Sequence, residues 1–128
     1  MKHSLPHQDL SDLTMSEKVR PLLDKVIQHV RDNCDPVLEE FQSLDAQKSD
    51  RWSWHPRQLE IMEDLKNKAK ASGLWNFFLP NAETGEGLSN LDYTYIAVEL
   101  GKNPLASKSL NCSAPDTGNM EVLERVGT

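Results

Sequence analysis

Apolar positions along this chain recur at helical spacing, in short stretches separated by turn residues. Val19, Leu22, Leu23, Val26, Ile27 and Val30 follow the i, i+3, i+4, i+7 rhythm that lines one face of a helix. Ser16–Glu17 opens that helix. Pro21, costly in a helix interior and tolerated in a first turn, places the regular start near Arg20. "DNCDP" interrupts, and Asp35–Pro36 fits an N-cap with proline at N1. A second helix is expected there, with Val37, Leu38, Phe41 and Leu44 on its apolar side.

The polar connection "DAQKSDRWSW" leads to a third helix over "HPRQLEIMEDLKNKAKASG". Pro56 sits near N1, and Leu59, Met62, Leu65 and Ala69 make its stripe. Lys66, Lys68 and Lys70 suit the negative end of the helix dipole, and Gly73 suits C′. "LWNFFLP" is a short apolar segment closed by proline, and "NAETGEG" is expected to be a flexible loop. Ser89 with Asp92 resembles a capping box with Asp in place of Glu. It opens a helix with the stripe Tyr93, Ile96, Ala97 and Leu100, closed by Gly101. "LASKSLNC" predicts a further helix, "SAPDTG" a break, and "NMEVLERV" a last helical piece. The expectation is an all-α, bundle-like fold of five or six helices. Residues 1–15 are expected to form a flexible lead-in, and residues 16–128 one helical domain.

Composition narrows the function classes. The chain has 128 residues, 38% hydrophobic and 27% charged, enough for one buried core. Its net charge of −6 and lack of a basic patch argue against nucleic acid as the main partner. No apolar run is long enough to span a bilayer. The first fifteen residues contain acids and no apolar core, unlike a secretory or mitochondrial presequence. Cys34 and Cys112 are far apart, in no metal spacing, and are expected to be free thiols in a reducing compartment.

Candidate chemistry is sparse. His3 and His7 are spaced i, i+4, but Pro6 lies between them. His29 falls off the main stripe and is expected to be solvated, and His55 is a helix-entry residue. "TGEGLS" lacks both the preceding strand and the lysine of a phosphate loop. The carboxylates of "VLEEF" and "IMEDL" fall opposite the apolar stripes and are expected to be solvated. Cys112 has no cationic neighbour to lower its pKa, which fits a buried, inert thiol. Trp52, Trp54 and Trp75 fit packing better than ligand stacking. No catalytic, cofactor-binding or metal-binding set emerges.

Several segments together resemble a known family. Gly73, Leu74, Trp75, Leu79, Pro80, Gly87, Leu88, Ser89, Asp92, Tyr93, Glu99, Leu100 and Gly101 match the N-terminal helical domain of the acyl-CoA dehydrogenase family. "APDTGNMEVL" is more specific and resembles the branch holding family members ten and eleven. The resemblance runs over roughly residues 16–128. It implies an N-terminal helical domain, a middle β domain and a C-terminal four-helix domain, with FAD between the latter two and across a subunit interface. It further implies fatty acyl-CoA as substrate, a C-terminal glutamate base, hydride transfer to flavin, a homo-oligomer, and a mitochondrial or peroxisomal setting. No glutamate here matches that base, so no catalytic or flavin residue carries over, and the domain is expected to be incomplete at its C-terminal end. What carries over is a pocket wall. In the family, the helix after "ELG" lines the acyl pocket. Its matching stretch, about Ser107 to Asn119, contains the small residues Ser109, Cys112, Ser113 and Gly118.

Overall fold

Proline and glycine punctuation sets the element boundaries. The computed structural model describes residues 13–127. A 3₁₀ turn, Glu17–Val19, feeds α1 (Arg20–His29), with Pro21 in its first turn as predicted. A π-helical turn, Val30–Cys34, then passes directly into α2 (Asp35–Ser43). The predicted N-cap at Asp35 is not formed: its backbone is helical (φ −59°, ψ −43°) and its N–H bonds the carbonyl of Val30. Pro36 removes the next donor, so the widened turn falls where the ladder is already interrupted. The Asp35 carboxylate instead accepts from Asn103 Nδ2 at 2.8 Å.

The third helix, α3 (Pro56–Ala71), is capped at both ends. His55 Nδ1 accepts from the Arg57 amide at 3.1 Å, and Gln58 Oε1 accepts from the His55 amide at 3.0 Å. At the other end Gly73 (φ +73°) donates to Lys70 and Leu74 to Ala69, a Schellman closure that needs the left-handed glycine. The buried side of α3 is Gln58, Ile61, Met62, Leu65 and Ala69. Leu59, assigned to the stripe from sequence, lies about 100° off that side and is 56% exposed. Gln58, though buried, has every polar atom engaged: its Nε2 donates to the Phe41 carbonyl and to Asp45 at 2.9 and 2.8 Å. This one side chain knits the end of α2 to α3.

The remaining helices are α4 (Asn90–Leu100), the single turn α5 (Ala106–Ser109) and α6 (Asp116–Val126). Among the described residues there is no strand, so the all-α expectation holds. α1 packs on α4, and α3 packs on α2 and α5. Val26, Leu65, Ala69, Ile96 and Leu110 are fully buried at their junction. Each such aliphatic side chain larger than alanine contributes roughly 1.5–3 kcal/mol by leaving water. Ser89 Oγ caps α4 by accepting from the Asp92 amide at 3.1 Å. The Asp92 carboxylate reaches backward to residues 13–16, which run along α4. It accepts from the Ser16 amide and hydroxyl at 2.9 and 3.0 Å. Tyr95 donates its hydroxyl to the Leu13 carbonyl, and Met15 is buried between them in sequence.

Candidate functional site

The connection between α3 and α4 builds one wall of a cleft. Leu74, Phe77, Phe78 and Leu79 are buried, so this apolar segment folds inward without forming a strand. The following loop, expected to be flexible, is tied down. Asn81 Oδ1 accepts from the Glu83 amide at 2.9 Å, and the Asn81 carbonyl accepts from Gly85 at 2.7 Å. A Cβ on Gly85 would fall 2.2 Å from the Leu79 carbonyl oxygen, so only glycine allows this close approach. Asn81 and Thr84 both donate to Glu124 on α6. The cleft, about 290 Å³, lies between Phe78, Pro80 and Leu88 of the connection, Tyr93 of α4, and Thr117, Glu121 and Arg125 of α6.

The stretch from Ser107 to Asn119, matched to a pocket-lining helix, is not one helix. Asn111 adopts a left-handed conformation (φ 60°) just past α5, and Pro115 precedes α6 after a cis peptide bond. Helix α6 then starts at Asp116, three residues before the predicted "NMEVLERV" piece, with Asp116 favourable at the positive end of the helix dipole. Asn111 Nδ2 donates to Asn76 Oδ1 at 2.7 Å, so two left-handed asparagines brace each other across the two connections.

The four predicted wall residues take different positions. Cys112 is buried, its thiol donating to the Leu110 carbonyl at 3.3 Å, and it interacts with Tyr93, a cleft residue, without lining the cleft itself. Ser113 is half-buried, and its carbonyl accepts from the Thr117 amide at 3.2 Å. Gly118 is exposed on the first turn of α6 beside Thr117. Ser109 is turned inward, away from the other three, into a polar cluster with His29 and Cys34. Sequence reasoning missed Tyr93 as a cleft residue. It sits on the apolar stripe of α4, half-buried against the core, so the pattern alone gives no sign that it also borders a cleft.

The cleft's back wall is uncharged. Burial pushes the Cys112 thiol up to about 12, with the Tyr93 hydrogen bond opposing, and burial likewise pushes Tyr93 up to about 12. Charge is confined to Glu121 and Arg125. Such an arrangement activates no nucleophile. It does not fit a flavin dinucleotide either, since Arg125 is its one cation and α6 opens on the acidic Asp116, leaving phosphates no cradle. Among the described residues no cluster of His, Cys, Asp and Glu could hold a metal. His3 and His7 lie outside the described residues.

Elsewhere, His29 is not solvated as predicted but buried, with Nε2 3.1 Å from Ser109 Oγ and Nδ1 3.3 Å from Asn33 Nδ2. The π turn brings Asn33 beneath it. Both cysteines are free and buried. Trp54 meets Phe41 edge-on at 5.5 Å, and Trp75 lies under Lys70, both in packing roles. Trp52 is 78% exposed.

Comparison with known proteins agrees with this fold. No family model matches the chain. It is 44% identical to acyl-CoA dehydrogenase family member 10 of Mus musculus over 119 residues, covering 89% of this chain and 11% of that protein. It is 40% identical to family member 11 of Gallus gallus over 129 residues, covering 98% of this chain and 16% of that protein. A solved structure described as an acyl-CoA dehydrogenase from Mycobacterium abscessus superposes with a TM-score of 0.75 at 36% identity, over 90% of this chain and 29% of that one. The chain thus spans a small share of the length of the relatives it matches, and they occupy the branch that "APDTGNMEVL" pointed to. By sequence and by architecture, the chain belongs to the acyl-CoA dehydrogenase family, as its all-α N-terminal domain.

Proposed function

We propose that this domain supplies one wall of the fatty-acyl pocket, and a subunit-packing face, in an FAD-dependent acyl-CoA dehydrogenase that desaturates acyl-CoA thioesters in fatty acid β-oxidation. The observation that carries it is the cleft between Phe78, Tyr93 and Thr117, with its charged lining confined to Glu121 and Arg125, in a chain with this family's fold. In this reading the flavin, which supplies hydride acceptance when bound, and the proton-abstracting base belong to portions of the family proteins outside the share this chain spans. This chain's own residues contribute apolar surface, exclude water along one side of the alkyl chain, and fix α6 through Glu124. A mitochondrial or peroxisomal setting and a homo-oligomer accompany the reading.

Two measurements test it. The purified 128-residue chain should carry no flavin absorbance and reduce no dye with acyl-CoA; a yellow, active preparation would overturn the proposal. In a full-length enzyme carrying this domain, Ser113→Leu and Gly118→Leu should raise KM for long acyl-CoAs several-fold more than for short ones, with flavin content unchanged. Equal effects on every chain length would remove both residues from the pocket wall. A second reading, a non-catalytic helical interaction module derived from this domain, draws on the exposed apolar residues of α6. Isolation of the native protein without flavin, in complex with an unrelated protein, would favour it.

A further inference from the structure

Two cavities beside α3 share a wall and share no residue with the cleft described above. The larger, about 720 Å³, is bounded by Trp54, Leu59, Met62, Glu63, Lys66 and Lys108. The smaller, about 230 Å³, lies past Trp54, Met62 and Lys108 and is closed by Leu38, Phe41 and Leu105. Trp54 is the partition between them, held edge-on by Phe41 at 5.5 Å and covered by the Lys108 ammonium at 4.6 Å.

The charges around this groove are unbalanced. Neither Lys66 nor Lys108 makes an ion pair among the described residues, whereas Glu60 at the rim is engaged by Arg57 at 3.1 Å. Asp45, at the far side of the smaller cavity, is held by Lys48 at 2.6 Å, which leaves Lys66, and Lys108 over the Trp54 ring, against the carboxylate of Glu63, in a chain whose net charge is −6. Leu59 is 56% exposed, so the groove presents unused apolar surface next to unused positive charge.

We propose that this groove binds a medium-length alkyl carboxylate from solution. Its carboxylate lies between Lys66 and Lys108. Its alkyl body runs along Leu59 and Met62, past Trp54, toward Leu38 and Leu105. The combined space falls within the range of ordinary small-molecule sites. A neutral amphiphile would leave both lysines without an anionic partner, and a hydrophilic anion would leave the aliphatic extension empty. This site is independent of the acyl cleft.

The test is a titration of the isotope-labelled 128-residue chain with sodium octanoate, below its micelle concentration, followed by NMR. The Trp54 indole and the amides of residues 59–66 and 108 should shift and saturate. The Lys66→Gln/Lys108→Gln double variant should bind about tenfold more weakly, through loss of charge-assisted hydrogen bonds, and octanol should bind the parent no better than octanoate binds the variant. Shifts centred on α6 or the cleft, equal affinity for octanol and octanoate, or an unaffected double variant would each overturn the proposal. So would binding to anionic phosphatidylglycerol vesicles without binding to dispersed octanoate.

Discussion

His29 is held neutral by its neighbours. Ser109 Oγ donates to the Ala106 carbonyl at 2.8 Å, so it accepts from His29 Nε2–H, and Nδ1 accepts from Asn33. Adding a proton would put a donor at Nδ1 against another donor. Burial, and then the charge of Lys68 on α3, accordingly lower the His29 pKa from 6.5. Lys25 and Asp32 also border the opening beside it. A folded-state pKa below the unfolded one means that the unfolded chain takes up the proton more readily. The stabilisation is therefore fully present above the ordinary value near 6.5, and is lost as pH falls from there toward the lowered folded value. Thermal melts between pH 7.5 and 5.5 should show the midpoint falling with pH, and His29→Gln should flatten that slope. A midpoint that rises or stays constant as pH falls would contradict this account. Asp92 works in the opposite range: hydrogen bonds from Ser16 hold its carboxyl below the usual value, so its contribution is present at neutral pH and lost only in acid.

At the scale of helices, the contrast within α3 is the sharpest test of the packing. Leu65 is fully buried and Leu59 is 56% exposed, on the same helix and of the same residue type. Leu65→Ala should cost about 2–5 kcal/mol through transfer and cavity terms, and Leu59→Ala within about 0.5 kcal/mol, measured by urea denaturation. Comparable losses at the two positions would mean that the helix is rotated from the orientation described. Most helices were legible because proline, serine and glycine mark their ends whatever surrounds them: Pro21, Pro56, Ser89 and Gly73 each stand where local chemistry put them. The junction of α1 and α2 was not, because a widened turn has no residue signature and Asp35–Pro36 imitates a cap. His29 was not legible for a different reason: its ring packs against Ser109 of α5, far away in sequence. In the site, of the stretch from Ser107 to Asn119 matched to a pocket wall, the cleft is lined by Thr117, while Cys112 and Ser113 lie outside its lining. The inward turn of Ser109 depended on the break at Asn111 and Pro115, whose direction no local pattern specifies.

The molecule as a whole leaves one helix half-dressed. Val122, Leu123 and Val126 on α6 are 59%, 67% and 73% exposed, while its other side carries Glu121, Glu124 and Arg125 toward the cleft and loop. Exposed aliphatic residues grouped on one helix favour association. The isolated chain should therefore show a weight-average mass that rises with concentration in analytical ultracentrifugation. The triple variant Val122→Gln, Leu123→Glu, Val126→Lys should sediment as a monomer. A parent chain that is monodisperse at all concentrations would show that this face is not adhesive.

The contact between Ser16 and Asp92 joins residues 76 positions apart. Closing so long a loop costs entropy before it returns any contact energy. Docking α4 on α1 closes a loop of similar length, so the latch rides on a contact the helices make between themselves. Release of this latch would uncover Met15 and strip Asp92 of its Ser16 partners, with the α1–α4 contact independent of either hydrogen bond.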